Sequence, residues 1–287
     1  MSASTKRTVL ITGCSDGGMG AELAKHFHKA GLHVYATTRD PSKMTEMTAL
    51  GIETLTLDIT SDDSIKDCVA KVPRLDILVN NAGALHMMPL TDLSIPEAKK
   101  FFDLNVWGHL ALIQAFLPLL LKSPKAMIVN HTTVGAHLAV PFQFTYNGSK
   151  AAMAMMTDTL RLELAAFDID VVNLKTGGVN TNIVTSNAAA KSPLPTSSIY
   201  APARKLVEPM LQGNWVPDGI SADEWAKGVV GDLLKPHPPM SIWRGKSAGM
   251  ARLGSLLPSA WFDGYLKRIM GLDKVEVILR SQRSGSA

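Results

Sequence analysis

Cysteine is nearly missing from this chain of 287 residues, which holds only Cys14 and Cys68. Two cysteines cannot form the disulfide framework of a small secreted protein, so a reducing, intracellular setting is expected. Aromatic residues make up 6% of the chain, and no run of Lys or Arg stands out although the net charge is +4. A nucleic-acid-binding protein is therefore not expected.

The sequence also lacks a secretion signal and a membrane span. Residues 1–7 are polar, and the short apolar run that follows ends in glycine, unlike a secretory signal. The most hydrophobic segment, 106–121, is interrupted by His109, Gln114 and Pro118. This interruption predicts a buried helix rather than a membrane span. We therefore expect a protein of the cytoplasm or of an internal membrane surface.

The composition is 46% hydrophobic and 19% charged residues. This balance is typical of a globular protein with a large core. Short β-rich runs alternate with helical segments, which is typical of a parallel, doubly wound α/β sheet. The predicted strands are Thr8–Thr12, His33–Thr37, Glu53–Leu57, Leu75–Val79, Ala126–His131, Ile169–Lys175 and Met240–Trp243. The predicted helices are Ala21–Ala30, Ser61–Val72 (with Ser61 as N-cap), Pro96–Leu121, Phe142–Phe167 and Ser221–Leu234.

No repeat or linker divides the chain, so a single domain is expected. We predict a disordered N-terminus at 1–6, the folded domain at 7–246, a C-terminal helical segment at 247–279 and a disordered tail at 280–287. Within the domain, the Ser-, Pro- and Asn-rich stretch 182–217 is too long for an ordinary connection and predicts a substrate loop. The C-terminal segment mixes large apolar with basic residues, which leaves three interpretations open: a lid, a subunit interface or a membrane contact.

A glycine-rich loop directly follows the first predicted strand. Strand, glycine loop and helix in this order are the context that a dinucleotide-binding fingerprint requires. Glycines allow the backbone to approach a pyrophosphate, and the helix N-terminus offers free N–H groups and the positive end of its dipole. We therefore predict nucleotide binding by this loop, at Gly13, Ser15, Gly18, Met19 and Gly20.

The end of the second strand predicts which nucleotide binds. In dinucleotide folds this strand end faces the adenosine ribose, where a carboxylate accepts from the ribose hydroxyls and an Arg pairs with a 2′-phosphate. The chain has Thr38 and then Arg39 at this place, which favours NADP(H) over NAD(H). An ordinary surface role for Arg39 is the alternative, and Asp16 argues mildly against a phosphate because its carboxylate would repel one.

Tyr146 and Lys150 stand four residues apart in a predicted helix, so both side chains lie on one face, one turn apart. A phenol is a poor acid or base at neutral pH, since its pKa is about 10. A nearby ammonium lowers that pKa toward the working range, and the pair then makes the proton donor that carbonyl reduction needs. Taken alone, this spacing is more often a solvated helix face.

Five motifs in a fixed order carry a resemblance to a known family. They are Thr12-Gly13…Gly18-Met19-Gly20, Asn80-Asn81-Ala82-Gly83, Asn105 within a long helix, the strand-end hydroxyl Thr133, and Tyr146…Lys150. With these motifs the chain resembles the short-chain dehydrogenase/reductase family over about Thr8 to Trp243. The resemblance implies one Rossmann-type domain with a seven-stranded parallel sheet.

The resemblance also implies a role for each residue of the catalytic set. Tyr146 would protonate the carbonyl oxygen, and Lys150 would lower the pKa of Tyr146 and bind the nicotinamide ribose. Thr133 would hydrogen-bond the substrate oxygen, and Asn105 would hold a water of the proton relay.

Further residues are implied to contact the cofactor. Asp58 would meet the adenine, and Asn81, followed by Gly83, would support the cofactor and the central sheet. Val179 and Thr181 would meet the nicotinamide carboxamide.

Three features depart from the family pattern. Thr133 stands where the family usually has Ser, and Thr176-Gly177 stands where it has Pro-Gly. The glycine loop is one residue longer than the usual Thr-Gly-x-x-x-Gly-x-Gly, which leaves the register of Ser15 to Gly18 on the phosphates open. The doubled glycine after Thr176 resembles the fungal NADPH-dependent 1-acyldihydroxyacetone-phosphate reductase subgroup.

The sequence thus predicts an oxidoreductase that reduces a ketone or aldehyde to an alcohol, with NADP(H) as cofactor and no metal. Two alternatives stay open: a nucleotide-binding module without redox turnover, and a dehydrogenase that oxidises an alcohol. Phe142, Phe144, Trp215 and Leu256-Leu257 predict an apolar pocket and so a hydrophobic substrate. A homodimer or homotetramer is expected from the family, which pairs its two long central helices.

Overall fold

The computed structural model describes residues 6–181, 193–213 and 219–285, and it is built around a sheet of seven strands. The strands of the chain are β1 (Thr8–Thr12), β2 (His33–Thr38), β3 (Glu53–Thr56), β4 (Ile77–Asn80), β5 (Met127–Thr133), β6 (Asp170–Thr176), β7 (Val179–Asn180), β8 (Ile220–Ser221) and β9 (Ser241–Arg244). The order across the large sheet is β3-β2-β1-β4-β5-β6-β9, with all neighbours parallel. This order confirms the predicted doubly wound, Rossmann-type sheet, and β7 and β8 form a small second sheet that the sequence did not predict.

Helices form the connections and cover both faces of the sheet. They are α1 (Met19–Lys29), α2 (Thr45–Ala49), α3 (Asp62–Lys71), α4 (Ile95–Phe102), α5 (Gly108–Leu120), α6 (Phe144–Glu163), α7 (Arg204–Leu211), α8 (Ala222–Leu233), α9 (Ala248–Gly254), α10 (Asp263–Met270) and α11 (Leu272–Gly285). Ser61 caps α3 as predicted, since its hydroxyl accepts from the N–H of Ser64.

Strand side chains alternate between two apolar layers. All five residues of β1 are buried. Val9 and Ile11 pack in the layer that contains α1 and α8, whereas Leu10 packs in the layer that contains α3 and α5. Parallel strands covered on both faces are nearly continuously apolar for this reason. The chain changes direction between β1 and β4, and this leaves a crevice at their carboxyl ends, where such sheets bind ligands.

A π-helical turn breaks the long helix predicted at 96–121. α4 ends at Phe102, the π turn covers Asp103–Trp107, and α5 continues from Gly108. The sequence left open whether Asn105 is tolerated within a regular helix or marks an irregularity. The structure shows an irregularity, with Asn105 fully buried inside the turn, and such turns are frequent at functional sites.

Two predicted boundaries were wrong. The helix predicted from Phe142 begins at Phe144, because Phe142 has a left-handed backbone with φ 64°, which an α-helix does not allow. The tail predicted to be disordered from residue 280 is helical through Gly285, at the end of α11. Leu272, Val275, Ile278 and Leu279 of α11 pack into the cluster beside α7, and the polar residues 280–285 continue the helix that this packing stabilises.

Parts of the predicted termini and substrate loop lie outside the described residues, namely 1–5, 182–192 and 214–217. None of the helices in the described part of the chain is both long and apolar enough to cross a membrane.

Candidate active site

A cleft of about 490 Å³ opens at the carboxyl edge of the sheet, beside the ends of β1 and β4. The predicted cofactor residues that line it are Gly13, Ser15, Gly18, Met19, Arg39, Asp58, Asn81, Gly83 and Thr181. Four predicted cofactor residues do not line the wall, namely Gly20, Tyr146, Lys150 and Val179. Gly20 and Lys150 are buried, and Val179 packs against the core. The structure therefore brings most of the predicted set to one surface.

A tight turn accommodates the additional residue of the glycine loop. The N–H of Gly18 donates to the carbonyl of Ser15 at 3.0 Å, and Gly17 has a left-handed backbone with φ 74°. A turn with positive φ at its third residue requires glycine or asparagine there. The longer loop thus places Ser15 and Gly18 at the two ends of one turn, both on the cleft wall.

The start of α1 fits the pyrophosphate of a dinucleotide. A Cβ on Gly20 would lie 2.4 Å from the carbonyl oxygen of Gly13, so only glycine allows the helix to begin this close to β1. Gly18 at the N-cap provides no side chain to bind the first N–H groups of the helix. These donors are therefore available to an anion at the positive end of the helix dipole.

Asp16 borders the cleft, but its carboxylate is bound elsewhere. Oδ2 accepts from the N–H and the hydroxyl of Thr45 at 2.9 and 2.6 Å, and from the N–H of Glu46 at 3.3 Å. Asp16 thereby caps the N-terminus of α2, where a negative charge is stabilised. The sequence-based argument that this residue opposes a phosphate is weakened accordingly.

Two cations stand at the end of β2. Arg39 follows the last strand residue, and Lys43 closes the short 3₁₀ turn Pro41–Lys43; both line the cleft. Lys43 Nζ lies 3.8 Å from Asp40 Oδ2 at exposed positions, where such pairs are weak. The sequence analysis did not include Lys43 in the cofactor site. Its position four residues after Arg39 could have indicated a second cation for the phosphate.

Asn81 and Asp58 are fixed in place by local hydrogen bonds. Asn81 Nδ2 donates to the carbonyl of Thr12 at 2.7 Å and to that of Gly13 at 3.3 Å, which ties the end of β4 to the glycine loop. Asp58 Oδ1 accepts from the N–H and hydroxyl of Thr60 at 2.9 and 2.7 Å. Both side chains therefore present defined groups at the cleft.

Tyr146 lies in the first turn of α6, and its hydroxyl is hydrogen-bonded to that of Thr133 at the end of β5. Desolvation by burial raises the pKa of Tyr146, and the bond to Thr133 offsets this only in part. The expected lowering of the Tyr146 pKa by Lys150 stays a prediction, since burial and Thr133 are the two causes of the shift. Tyr146 is therefore protonated at neutral pH.

Thr133 also has two main-chain partners. Its Oγ1 donates to the carbonyl of Thr176 at 3.2 Å and accepts from the N–H of Gly135 at 3.2 Å. These bonds hold the Thr133 hydroxyl at the end of β5, beside the hydroxyl of Tyr146.

Lys150 is buried one turn behind Tyr146. Its Nζ donates to the carbonyl of His131 at 2.7 Å, and burial lowers its pKa to about 8. A Cβ on Gly83 would lie 3.5 Å from Nζ. Because Gly83 lines the cleft, the ammonium of Lys150 lies directly behind the cleft wall.

The side chain of Asn105 joins the segment after β4 to α6. Its Oδ1 accepts from the N–H of Ala84, and its Nδ2 donates to the carbonyl of Ala84 and to the hydroxyl of Ser149, each at 3.0 Å. The Ser149 hydroxyl in turn donates to the carbonyl of Tyr146 at 2.7 Å. The π turn thus positions Asn105 so that it braces the turn of α6 that holds Tyr146.

His131 is a residue that sequence reasoning missed. Its Nδ1 lies 2.8 Å from Asn81 Oδ1, and its Nε2 lies 2.7 Å from Thr176 Oγ1. Burial, followed by the nearby charge of Lys150, lowers the pKa of His131 to about 3, so the ring is neutral. His131 lies two residues before Thr133, so both side chains are on the same face of β5. This spacing could have indicated that His131 lies near the site.

The hydrogen-bond partners also determine the tautomer of His131. Asn81 directs its Nδ2 at two carbonyl groups, so its Oδ1 is the acceptor and His131 Nδ1 carries the proton. Nε2 must then accept from the hydroxyl of Thr176. Thr176, the last residue of β6, stands where the family usually has Pro. Its hydroxyl is therefore bonded to His131 on β5.

An apolar cluster packs against Tyr146. Its buried members are Leu85, Met87, Met88, Phe142, Leu194, Ala203, Val207, Met210, Leu211 and Val275. Phe142 was predicted here, whereas Phe144 is exposed. Leu256 and Leu257 were predicted to line the pocket, and this was wrong because both are exposed. Trp215 lies outside the described residues.

The chain is similar to known proteins over nearly all of its length. A family model described as short chain dehydrogenase matches residues 7–192. The chain is 49% identical to a short-chain dehydrogenase/reductase of Pestalotiopsis microspora over 96% of this chain and 98% of that protein. It is 36% identical to the NADPH-dependent 1-acyldihydroxyacetone phosphate reductase of Schizosaccharomyces pombe, over 95% and 97%.

Solved structures agree with these similarities. A short-chain dehydrogenase from Streptomyces avermitilis superposes with a TM-score of 0.76 at 25% identity, over 96% of this chain and 98% of that one. The likeness extends beyond the sheet and includes the C-terminal helices, because nearly the full length is covered.

Proposed function

The chain belongs to the short-chain dehydrogenase family and is an oxidoreductase that uses a nicotinamide cofactor; on this premise we propose that it is an NADPH-dependent reductase of an apolar ketone or aldehyde. The observation that carries the proposal is the hydrogen bond between the hydroxyls of Tyr146 and Thr133, with Lys150 buried one turn behind. These three side chains stand at the carboxyl ends of the strands, next to a cleft suited to a dinucleotide.

The proton for the carbonyl oxygen comes from Tyr146. When bound, the nicotinamide supplies the hydride. The substrate oxygen accepts the Tyr146 proton, and Thr133 turns its own hydroxyl from the Thr176 carbonyl toward the same oxygen. The ammonium of Lys150 stabilises the phenolate that remains. The raised pKa of Tyr146 supports the reducing direction, because a proton donor must be protonated before the reaction.

The relay water that the family implies would be held by the main chain of Asn105. The Asn105 amide is engaged with Ala84 and Ser149. The π turn Asp103–Trp107 interrupts the regular helical hydrogen-bond pattern around Asn105, and we propose that the Asn105 carbonyl is the water ligand.

Arg39 and Lys43 support NADP(H) as the cofactor. Both line the cleft at the end of β2, where a 2′-phosphate would lie. Arg39 can bind a phosphate with two parallel hydrogen bonds, and Lys43 adds a second positive charge. The relative from Schizosaccharomyces pombe is named as NADPH-dependent, which supports the same choice.

The apolar cluster beside Tyr146 supports a hydrophobic substrate. Met87, Met88 and Phe142 are buried there against Tyr146 and Tyr200. Methionine side chains adapt to the shape of a ligand. An acyl chain or an apolar ring of a secondary metabolite would fit such a surface.

Exposed apolar side chains on the central helices support a homodimer or homotetramer. Trp107 at the start of α5, and Met155 and Leu162 on α6, are each more than half exposed. Pairing of these two helices with a second copy would bury all three residues.

Tyr146→Phe tests the proposed function. We expect turnover of NADPH with an apolar ketone panel to fall by about 10²–10⁴-fold, the usual contribution of a positioned general acid. NADPH affinity, measured by fluorescence titration, is expected to stay within about twofold because the phenyl ring remains in place. Tyr35→Phe is the matched control, since Tyr35 is buried in β2 away from the site.

Three outcomes would contradict the proposal. Unchanged turnover in Tyr146→Phe would show that Tyr146 is not the proton donor. Tight NADPH binding without turnover of any carbonyl would favour the nucleotide-binding module. Faster turnover with NADP⁺ and alcohols than with NADPH and ketones at neutral pH would favour the oxidising dehydrogenase.

A further inference from the structure

The C-terminal helices carry a stripe of large apolar side chains that no described residue covers. The stripe consists of Leu253, Leu256, Leu257, Trp261, Tyr265 and Ile269, whose exposed fractions range from 44% to 82%. Successive members are one to four residues apart, mostly four. Tyr265 and Ile269, which both lie in α10, are therefore on one face of that helix. Monomeric proteins rarely expose so many large apolar residues in one segment.

The stripe is an outer surface of folded helices and not an unformed core. The inner side of the same segment is buried at Ala248, Gly254, Leu266 and Met270. A Cβ on Gly254 would lie 2.9 Å from the ring of Phe262, so this ring packs directly over the end of α9. The stripe is thus held in shape before any partner binds.

The charges around the stripe determine the kind of partner that fits. Between 246 and 270 the basic residues are Lys246, Arg252, Lys267 and Arg268, and the acidic residue is Asp263. Lys267 pairs with Glu276 of α11, so the excess positive charge comes from Lys246, Arg252 and Arg268. This net positive charge opposes a two-fold contact of the stripe with its own copy, because such a contact places like charges together. An anionic surface fits both the charge and the apolar side chains.

We propose that the stripe docks the protein on the surface of an anionic lipid bilayer. An apolar face with Trp and Tyr, flanked by Lys and Arg, is suited to lie at the boundary between headgroups and acyl chains. The aromatic residues Trp261 and Tyr265 occupy the level of the headgroups, where amphipathic rings are favoured. Docking in this way requires no membrane span.

The docked segment connects directly to the active site. Lys246, just before α9, bridges to Gly178 after β6, and its N–H donates to the Gly178 carbonyl at 2.9 Å. α9 also packs against the turn Val134–Ala136, which follows Thr133. A docked protein therefore holds the loops around the catalytic hydroxyls close to the bilayer, where an apolar substrate is concentrated.

Vesicle co-sedimentation of the full chain with NADPH tests the proposal. We expect binding to phosphatidylcholine vesicles that contain phosphatidylserine, and much weaker binding to phosphatidylcholine alone. Arg252→Gln/Arg268→Gln is expected to weaken binding by about 25-fold, since each charge near an anionic surface contributes about fivefold. Raising NaCl to about 1 M is expected to have a similar effect, because it shortens the Debye length to roughly 3 Å.

Leu256→Ser/Trp261→Ser tests the apolar part of the stripe, with a loss of tenfold or more expected. The matched control is Leu50→Ser/Ile95→Ser, which removes apolar side chains that are 49% and 62% exposed on other elements; its binding is expected to be unchanged. If the Leu256→Ser/Trp261→Ser protein fails to fold by circular dichroism, the arginine variant carries the test alone.

Two results would overturn the proposal. One is the absence of wild-type sedimentation with anionic vesicles. The other is conversion of the wild-type oligomer to a smaller species in Leu256→Ser/Trp261→Ser, seen by light scattering, since the stripe would then be a subunit contact. Lipid binding is also measured in Tyr146→Phe, where it should be retained, so that failure of docking and failure of the proposed chemistry are distinguished.

Discussion

Lys150→Met should produce a protein that is inactive yet at least as stable as the wild type at pH 7. Burial lowers the pKa of Lys150 from 10.5 to about 8. Each unit of such a shift corresponds to about 1.4 kcal/mol, so the charged ammonium destabilises the folded protein by about 3 kcal/mol. Methionine fills a similar volume without a charge. It leaves the carbonyl of His131 without this donor, which costs about 1–3 kcal/mol.

The pH dependence identifies the origin of this effect. Below pH 8, Lys150 is charged in both the folded and the unfolded chain, so the full destabilisation is present. Between about pH 8 and 10.5 the folded protein releases the proton while the unfolded chain keeps it, and the wild type gains stability. Lys150→Met lacks this gain. The stability advantage of the variant should therefore shrink as the pH rises from 8 to 10.

Urea denaturation at pH 6, 7, 8, 9 and 10, without added cofactor, measures the difference in free energy of unfolding. At pH 7 we expect a gain of about 0–2 kcal/mol for Lys150→Met. Lys122→Met is the control, because Lys122 is exposed at the end of α5, and its effect should be near zero at every pH. A variant less stable than the wild type by more than about 1 kcal/mol at pH 7, or a difference that does not change with pH, would refute this reasoning.

The remaining predictions concern the cofactor and the strand ends. Arg39→Leu/Lys43→Leu should raise the dissociation constant for NADPH by about 10–100-fold, which corresponds to the loss of about 1.5–3 kcal/mol of charge-assisted contact. The dissociation constant for NADH should stay nearly unchanged. Equal losses of affinity for both cofactors, measured by calorimetry, would argue against a 2′-phosphate site here. Thr176→Val should lower the free energy of unfolding by about 1–3 kcal/mol, because it leaves buried Nε2 of His131 without a donor. His131→Phe in the Thr176→Val background should cost less than it does alone, and additive losses in that double-mutant cycle would contradict the assigned bond.

The sheet was predictable because its signals are local. Each strand is a short apolar run, each connection contains a helical segment, and this alternation is compatible with few topologies. The Tyr146 and Lys150 pair was also readable, since four-residue spacing in a helix determines which side chains share a face. These inferences need no knowledge of distant contacts.

The rest of the site depends on contacts between distant residues. From the sequence, Asp16 is expected to repel a phosphate. In the structure its carboxylate accepts hydrogen bonds from Thr45 at the start of α2, and the sequence does not indicate this partner. The pKa of Tyr146 depends on how deeply the ring is buried, which the spacing to Lys150 does not reveal. Residues 280–285 are polar, so local composition alone predicted disorder, but they continue helix α11, whose earlier turns pack against α7.

The bond between Thr176 and His131 also limits how this strand end can change during evolution. A proline restricts its backbone permanently, whereas a hydroxyl bound to an imidazole restricts it only while the bond is made. Replacement of Thr176 by Pro alone would leave a buried ring nitrogen without a partner, and replacement of His131 alone would leave Asn81 Oδ1 and the Thr176 hydroxyl without this partner. Neither single step is free of cost, so the two positions are expected to have changed as a pair, and descendants of this chain should keep both residues or neither.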